Sequence, residues 1–448
     1  MSTAQPFFIK KALLIANRTG LGNKPAAHDI SKAMVDIEIF EHLSLPYTSA
    51  LISFSDTADT LSSLDIQGAE YVELTIANHT EALTITKNYY ITKVENVVRG
   101  TENADLIVLN CIDEIAFRSH LFNVNIVLDG TPLQMIGRIA QDYLNTNILH
   151  NEEKYSQYHK YIVPNLTPLE TMKWISQQSI TTIGMPHFLF GIWADENLRY
   201  VDLEDLLTAD TINKNRPFVH GMALASMGTG GDTGIQTQRI INYNYNNNHN
   251  IFDLIDQGYI SGNHFYYDTM ANREYLVDWR VSRDMFNPMI DQSLFKSGHQ
   301  RYPYAPATTF DGAYMEEYQS RRTFRIATNR PWDEGYTVPG SRPSLAGYTN
   351  DIVNEAMRVF MNKETITWQI DGKRVGQISP GSHFIGKKVR CLFGRTMVED
   401  TENASGKIDA KKSGDYIVMA VKHRLSKERY DIFLTGTKLG SPNSADMR

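Results

Sequence analysis

The chain is short of cysteine, of long apolar runs and of basic blocks, and each shortage excludes a class of protein. Its two cysteines, Cys111 and Cys391, lie in strand-like runs, so we expect buried, reduced thiols and synthesis in a cytoplasm. No apolar run approaches the ~20 residues of a membrane span, and the start lacks the regions of a signal peptide, so we expect a soluble protein without membrane insertion. A net charge of −7 without a long basic block argues against a protein that grips nucleic acid by its phosphates. This charge does not exclude a channel whose wall repels DNA as the DNA slides past it.

Sequence patterns that carry chemistry are missing as well. The one glycine cluster, Gly228–Gly234 (GTGGDTG), lacks the Gly-Lys-Ser/Thr ending of a phosphate-binding loop and is expected to be a flexible loop. The histidines are scattered singly, with no His-Glu-x-x-His or Cys/His pattern, and no Gly-x-Ser-x-Gly occurs. Adjacent acids such as Asp113/Glu114 are interpreted as solvated charge, because glycoside hydrolysis needs two carboxyls that face each other. We therefore predict no cofactor, no metal site, no catalytic residue and no enzymatic activity.

Strand patterns dominate the C-terminal part of the chain. At 448 residues the chain exceeds the size at which single hydrophobic cores stop growing, so about two to four units are expected. The runs 365–370, 388–393, 417–422 and 431–434 are β-rich and are separated by turn signals such as Asp371-Gly372. This stretch predicts a small barrel or sandwich.

The first 120 residues predict a mostly antiparallel β unit. In the run ISKAMVDIEIF (30–40), side chains alternate between the two faces of a long strand. One face takes Ala33, Val35, Ile37 and Ile39, and the other, partly polar face takes Met34, Asp36, Glu38 and Phe40. Further strands are expected at 48–54, 71–76, 84–98 with a break near Asn88, and 105–112.

Capped helices and a long loop region separate these β units. Thr131 with Pro132 and Gln134, and Thr167 with Pro168 and Glu170, each form the signature of a helix start. They predict an α/β unit over about 121–206. Residues 282–347 are expected to form an ordered but irregular loop region, and a helix is predicted at 351–361. Within the loop region the basic run Arg321–Arg325 is expected to contact an acidic protein neighbour, with phosphate binding as the alternative.

Five stretches, taken in order, resemble the baseplate hub proteins of contractile-tailed bacteriophages, which are relatives of the hub part of the type VI secretion spike. They are VDIEIFEHLSLPYTSALISFSDTADTLSSLDIQGAEYVELTI, YIVPNLTPLETMKWISQQS, INYNYNNNHNIFDLIDQGYISGNHFYYDTMANREYLVDW, VGQISPGSHFIGKKVRCLF and SGDYIVMAVKHRLSKERYDIFLTG. The resemblance covers most of residues 30–440.

The resemblance implies a fold that is mainly β with α+β inserts, built from two similar tube-type β-barrel domains plus two inserted domains. The implied boundaries are 1–120 for the first tube domain, 121–206 for an α/β domain, 207–245 for the first segment of the second tube domain, 246–349 for an inserted domain with long loops, 350–440 for the main segment of the second tube domain, and 441–448 for a tail.

The resemblance also implies a structural function. The expected role is a baseplate hub subunit whose homotrimer joins the sixfold tail tube to the threefold central spike and encloses the DNA ejection channel. Expected partners are the central spike protein and tail tube or tube-initiator proteins, with baseplate wedge proteins and the tape measure protein as further candidates. DNA is expected to pass through the lumen without specific binding. The expected location is the virion tail baseplate, assembled in the host cytoplasm.

Three acidic residues are candidates for channel or subunit contact. Asp36, Glu38 and Glu73 lie on the polar faces of the first unit's strands, and a plain solvated face is the alternative. Two other functions stay open at this point. One is the hub of a secretion-system or tailocin spike, and the other is a tail-associated peptidoglycan hydrolase.

Overall fold

One large, mostly antiparallel sheet dominates the structure, which is a computed structural model. The structure describes residues 7–16, 26–58, 60, 64, 66–78, 84–101, 104–151, 159–214, 217–221, 239–247, 251–268, 272–291, 294, 309–318, 321–327, 345–372, 383–395, 408–409, 411–427 and 429–439. The predicted glycine loop 228–234 lies outside them.

Strands account for most of the described elements. They are β1 (Phe7–Ala16), β2 (Ala26–Asp29), β3 (Met34–His42), β4 (Ser49–Asp56), β5 (Tyr71–Asn78), β6 (Thr84–Thr101), β7 (Ala104–Asp113), β8 (Val127–Gly130), β9 (Ile148–His150), β10 (His159–Ile162), β11 (His187–Gly191), β12 (Leu198–Asp202), β13 (Phe218–His220), β14 (Ile240–Asn247), β15 (Ser261–Asp268), β16 (Arg273–Arg280), β17 (Thr309–Phe310), β18 (Ala313–Tyr314), β19 (Arg321–Ala327), β20 (Glu364–Asp371), β21 (Lys388–Phe393), β22 (Gly414–Ser426) and β23 (Tyr430–Thr437).

Helices are fewer, and most of them lie in the chain segments that connect strands of the large sheet. They are α1 (Glu114–Ser119), α2 (Pro132–Ile139), α3 (Pro168–Gln178), α4 (Leu203–Thr208), α5 (Ile251–Asp256), α6 (Asn287–Asp291) and α7 (Leu345–Phe360). Short π-helical segments, Ala140–Leu144 and Ser282–Phe286, extend α2 and precede α6. None of the described helices is long and apolar enough to cross a membrane.

The large sheet runs in the order β14-β20-β23-β22-β3-β4-β7-β6-β5-β1-β2, and β21 with β13 branches from β22. One face carries the core, with fully buried side chains such as Ile37, Leu109, Trp368 and Leu434. The other face, here called the open face, holds the partly exposed residues that alternate with them. The predicted mainly β fold is thus confirmed, although the described part of the sheet does not close into a barrel.

Two groups of five strands within this sheet share one topology. The N-terminal strand group is β3 to β7, and the C-terminal strand group is β14 with β20 to β23. Numbered along the chain, the strands of each group lie side by side in the order first, second, fifth, fourth, third, and every neighbouring pair is antiparallel. The same strand order therefore occurs twice in one chain.

Two β-bulges occur at equivalent places in the two groups. The first strand of each group carries a β-bulge near its start, before Asp36 in β3 and before Asn242 in β14. The fourth strand of each group also carries a bulge, between Ile91 and Lys93 in β6 and between Val418 and Ala420 in β22. Because a bulge bends its strand and increases the local twist, these bulges bend the two groups at equivalent places. β6 carries two further bulges, after Val94 and after Arg99.

The groups join edge to edge inside the chain. The second half of β22 pairs antiparallel with β3, from Ala420 opposite His42 to Ser426 opposite Asp36. This pairing, here called the intrachain joint, makes the two groups one continuous sheet. It connects residues nearly four hundred positions apart in the sequence.

An α/β region lies between the two groups and has its own hydrophobic core. Both predicted capping boxes are confirmed: Thr131 caps α2 with Gln134, and Thr167 caps α3 with Glu170. Small sheets formed by β8 with β10, and by β9, β12 and β11, pack beside these helices. The strand predicted after Pro186 is confirmed as β11.

A second insert separates β14 from β20, and here one prediction is wrong. Residues 282–347 were expected to be an irregular loop region, but they contain β19, which pairs in parallel with β15. The basic run Arg321–Arg325 therefore lies on a strand rather than a loop. A parallel partner some sixty residues earlier leaves no local hairpin signal. The predicted helix at 351–361 is confirmed as part of α7.

Two details of the predicted strands are also wrong. The bulge in β3 reverses the alternation at its start, so Met34 is 1% exposed and Val35 is 45% exposed. The strand predicted to break near Asn88 instead runs without a break as β6. The predicted buried thiols are confirmed, since Cys111 and Cys391 are free and fully buried.

Candidate assembly surface

The structure brings two of the three predicted acidic residues together, at the intrachain joint. An Asp36 Oδ2 accepts a hydrogen bond from Arg424 Nη2 at 2.8 Å. Glu38 Oε1 accepts one from Lys422 Nζ at 3.1 Å and lies 3.6 Å from Arg424 Nε. Both acids project from β3 toward cations of β22, so they contact the other strand group of the same chain.

Glu73 lies elsewhere in the sheet. Its Oε1 accepts a hydrogen bond from Lys11 Nζ at 2.7 Å, between the neighbouring strands β5 and β1. The Lys11 side chain is 46% exposed, and such surface pairs contribute little to stability. Glu73 is thus separate from the pair on β3.

Charges alternate in sign across the joint on the open face. Arg424 lies directly opposite Glu38 on one neighbouring strand and opposite Asp431 on the other. Its hydrogen bond to Asp36 raises the pKa of the Arg424 guanidinium, and Asp431 is also paired with Arg429 at 2.7 Å. The acids on this part of the open face are therefore largely neutralised by neighbouring cations, which leaves little free charge of either sign.

Sequence reasoning identified the acids but missed their cations. Lys422 is additionally held 4.6 Å from the ring of Phe433, where a cation–π contact is favourable. Lys422 belongs to a strand that was predicted, but its partner Glu38 is 384 positions away. Only the pairing of β22 with β3 identifies the two as neighbours.

The core side of the joint is tied to the α/β region by a buried acid. Glu41 is 3% exposed, and its Oε1 accepts a hydrogen bond from the backbone N–H of Trp193 at 2.7 Å. Its Oε2 lies 3.6 Å from His423 Nε2, and His423 Nδ1 is 2.9 Å from the Tyr430 hydroxyl. A buried carboxylate needs such partners, so these contacts fix the register of the joint.

Among the strand edges that have no neighbouring strand in the described residues, one belongs to the first strand of the C-terminal group and another to the fourth strand of the N-terminal group. The first, the β14 edge, is Asn242–Asn247, whose one strand partner is β20. The second, the β6 edge, is the stretch from Thr92 to Thr101, which pairs with β7 on one side but extends beyond β5 on the other. Val97 and Val98 on the β6 edge are 53% and 51% exposed.

Several buried titratable groups lie away from this surface and serve the core. Burial lowers the pKa of His159, His187 and His264 to about 4, and it raises the pKa of both cysteine thiols. These groups are therefore neutral at pH 7. Within the described residues no three His, Cys, Asp or Glu side chains are grouped so as to hold a metal ion.

The fold is shared with a solved tail protein. A tail protein from Neisseria meningitidis MC58 is similar at 10% identity, with 96% of each chain covered and a TM-score of 0.51. The 43 kDa tail protein of prophage MuSo2 from Shewanella oneidensis is similar at 8% identity over 96% of this chain and 99% of that chain, with a TM-score of 0.49. An E. coli component of the type VI secretion system is similar at 9% identity over 97% of this chain and 77% of that chain, with a TM-score of 0.43.

The first of these similarities carries the assignment of fold. The chain has the fold of a tail protein, and the resemblance to tail proteins predicted from the sequence is confirmed at the level of the fold. No protein-family model matches the chain, and no curated protein matches its sequence.

Proposed function

We propose that the protein is a structural baseplate hub subunit of a contractile phage tail. Three copies form a ring that joins the sixfold tail tube to the threefold central spike and encloses the channel for DNA. The observation that carries this proposal is the repeated strand group, joined to its counterpart edge to edge by the intrachain joint. Three chains then supply six strand groups, which matches a sixfold neighbour on one side and a threefold neighbour on the other.

The two edges of each strand group support a closed ring. In the intrachain joint, the first strand of one group pairs with the fourth strand of the other. Such a head-to-tail contact is heterologous, and it produces a ring when successive rotations close. Closure also covers strand edges that would otherwise be open to unwanted pairing.

The open face is suited to line a channel for DNA. DNA adheres to a protein when lysines or arginines neutralise its phosphates. At the joint, Lys422 and Arg424 are already paired with Glu38 and Asp36. We place Asp36 and Glu38 on the channel wall, where their role is to occupy these cations, and we place Glu73 on a solvated or subunit-contacting face.

The remaining assignments follow from the hub role. The two inserts project from the ring and are proposed to contact the central spike protein, tail tube or tube-initiator proteins, wedge proteins and the tape measure protein. The protein is proposed to have no catalytic activity and to reside in the virion tail baseplate after assembly in the host cytoplasm. The fold of a tail protein supports this location.

Native mass spectrometry tests the assembly. The purified 50.9 kDa chain, alone or after co-expression with its spike protein, is expected to give the mass of three copies. High salt is expected to leave that mass unchanged, because ring closure depends on strand pairing rather than on charge. A strictly monomeric mass in both preparations would contradict the proposal.

A further inference from the structure

We propose that the β14 edge of one copy pairs antiparallel with the β6 edge of a second copy, so that the seam between chains repeats the intrachain joint. This inference rests on the proposed ring and names the strands and the register that close it. Among the described strands, β14 and β6 are the counterparts of β3 and β22, which form the intrachain joint. The intrachain joint uses the edges of β3 and β22, and the equivalent edges of β14 and β6 remain available for a neighbouring copy.

The β14 edge corresponds to the paired edge of β3. Asp36 is the first paired residue after the bulge in β3, and Asn242 is the first paired residue after the bulge in β14. Counting two residues further along each strand, Asn244 corresponds to Glu38. Both residues have side chains on the open face.

The β6 edge corresponds to the paired edge of β22. Val94 and Val421 each lie two residues beyond the bulge that the two strands share. One extra residue, Glu95, is bulged in β6 before pairing with β7 resumes. Val98 therefore corresponds to Arg424.

These equivalences fix the register of the seam. In the intrachain joint Arg424 lies directly opposite Glu38, so in the seam Val98 of one copy lies opposite Asn244 of the next. By the same count, Val97 lies opposite Tyr245, since His423 lies opposite Ile39. The seam buries two valines that are now about half exposed.

The composition of the β14 edge fits a second copy as its occupant. Sheet edges that must stay unpaired are usually blunted by charged residues or proline. β14 reads IINYNYNN and contains neither. The β6 edge is longer than the β14 edge and contains Lys93, Glu95 and Arg99, but it also presents Val94, Val97 and Val98. The intrachain joint shows that the two strand types pair with each other. The seam also differs from the joint, because asparagine and valine replace the Glu38–Arg424 ion pair.

The geometry allows a covalent test. Leu43 donates its backbone N–H to the carbonyl of Met419 at 2.8 Å, so these two residues form a hydrogen-bonded pair. Hydrogen-bonded and non-hydrogen-bonded pairs alternate along an antiparallel ladder. The pair of Glu38 and Arg424 lies an odd number of residues away, so it is a non-hydrogen-bonded pair. Such pairs have Cα atoms about 4.5 Å apart, within the range that a disulfide spans. Val98→Cys with Asn244→Cys should therefore form a disulfide across the seam. Both positions are exposed, and the native cysteines are buried.

Mild oxidation of the Val98→Cys/Asn244→Cys chain is expected to convert most of the protein into covalent trimers on a non-reducing gel. A mixture of the two single variants is expected to give only covalent dimers. Val98→Cys with Asn246→Cys, two residues out of register, is the matched control and is expected to yield at least tenfold less product. Equal yields from the two double variants would overturn the register.

A second pair of variants tests the seam without oxidation. Val98→Glu with Asn244→Glu places like charges opposite each other at every seam and is expected to dissociate the trimer. Val98→Arg with Asn244→Glu recreates the ion pair of the joint and is expected to restore it. The seam would be overturned if the wild type is a trimer, neither charge pair changes that mass, and the Val98→Cys/Asn244→Cys chain forms no disulfide. The hub proposal would then remain intact. A monomeric wild type would instead overturn the hub proposal.

Discussion

Replacing Asp113 by alanine is expected to lower the free energy of unfolding by about 3 to 5 kcal/mol, because it leaves buried donors without their acceptor and removes the counter-charge of a partly buried cation. The Asp113 carboxylate is 1% exposed. It accepts hydrogen bonds from the backbone N–H and hydroxyl of Thr48, at 2.7 and 3.1 Å. It also caps α1 by accepting from the backbone N–H of Ala116 at 3.0 Å, and Lys87 Nζ lies 3.6 Å away.

This carboxylate connects three parts of the molecule. It lies at the end of β7, binds Thr48 just before β4 and caps the start of α1. Its neighbour Lys87 also donates to the carbonyl of Ile192 in the α/β region at 3.1 Å. Asp113→Asn, which keeps the shape but loses the charge, is expected to cost less than Asp113→Ala. The matched control is Asp142→Ala. Asp142 is 55% exposed and paired with Arg138 at 3.5 Å, so its loss is expected to cost under about 0.5 kcal/mol.

Chemical denaturation followed by circular dichroism measures these differences. An Asp113→Ala chain as stable as wild type would show that the carboxylate is solvated, as its place beside Glu114 in the sequence suggests. That sequence interpretation is wrong for Asp113, because the packing of α1 against β6 and β7 buries it. Nothing in the adjacent letters Asp-Glu indicates which of two neighbouring acids will be covered.

Acidification from pH 7 toward pH 4 is expected to remove a large part of the stability. His159, His187 and His264 have pKa values of about 4 in the folded protein against an ordinary value of 6.5, chiefly because burial disfavours the charged ring. A lowered pKa means that the unfolded chain binds the proton first. Stability is therefore complete above pH 6.5 and is lost as the pH falls toward 4, by about 3 kcal/mol for each histidine.

His159→Phe isolates one of these groups. The His159 ring is fully buried, stacks on Tyr161 and shares a 2.9 Å contact between its Nδ1 and the Tyr161 hydroxyl. Phenylalanine keeps the ring but cannot bind a proton. The stability lost between pH 7 and pH 5 should accordingly shrink by about 2 kcal/mol relative to wild type. An unchanged loss would show that His159 is not kept neutral by burial.

Local patterns predicted the elements that are built from local interactions. The capping boxes at Thr131 and Thr167 involve residues within one helical turn, so the sequence alone locates the starts of α2 and α3. The alternation in β4 and β7 likewise reports a sheet with one buried face. These are the elements that the structure confirms.

Long-range pairing accounts for what the sequence did not predict. The bulge in β3 exchanges Met34 and Val35 between faces, and its position depends on the partner strand β4. The cations that neutralise Asp36 and Glu38 lie 388 and 384 positions away. The open edges of β14 and β6 depend on which strands end first, and the composition of neither strand shows it.

Electron microscopy of the assembled particle tests the ring most directly. Class averages of the purified protein, viewed along the axis, are expected to show six similar lobes contributed by three chains around an open channel. Particles in which the two strand groups of a chain lie face to face, or in which no central hole is present, would contradict the account.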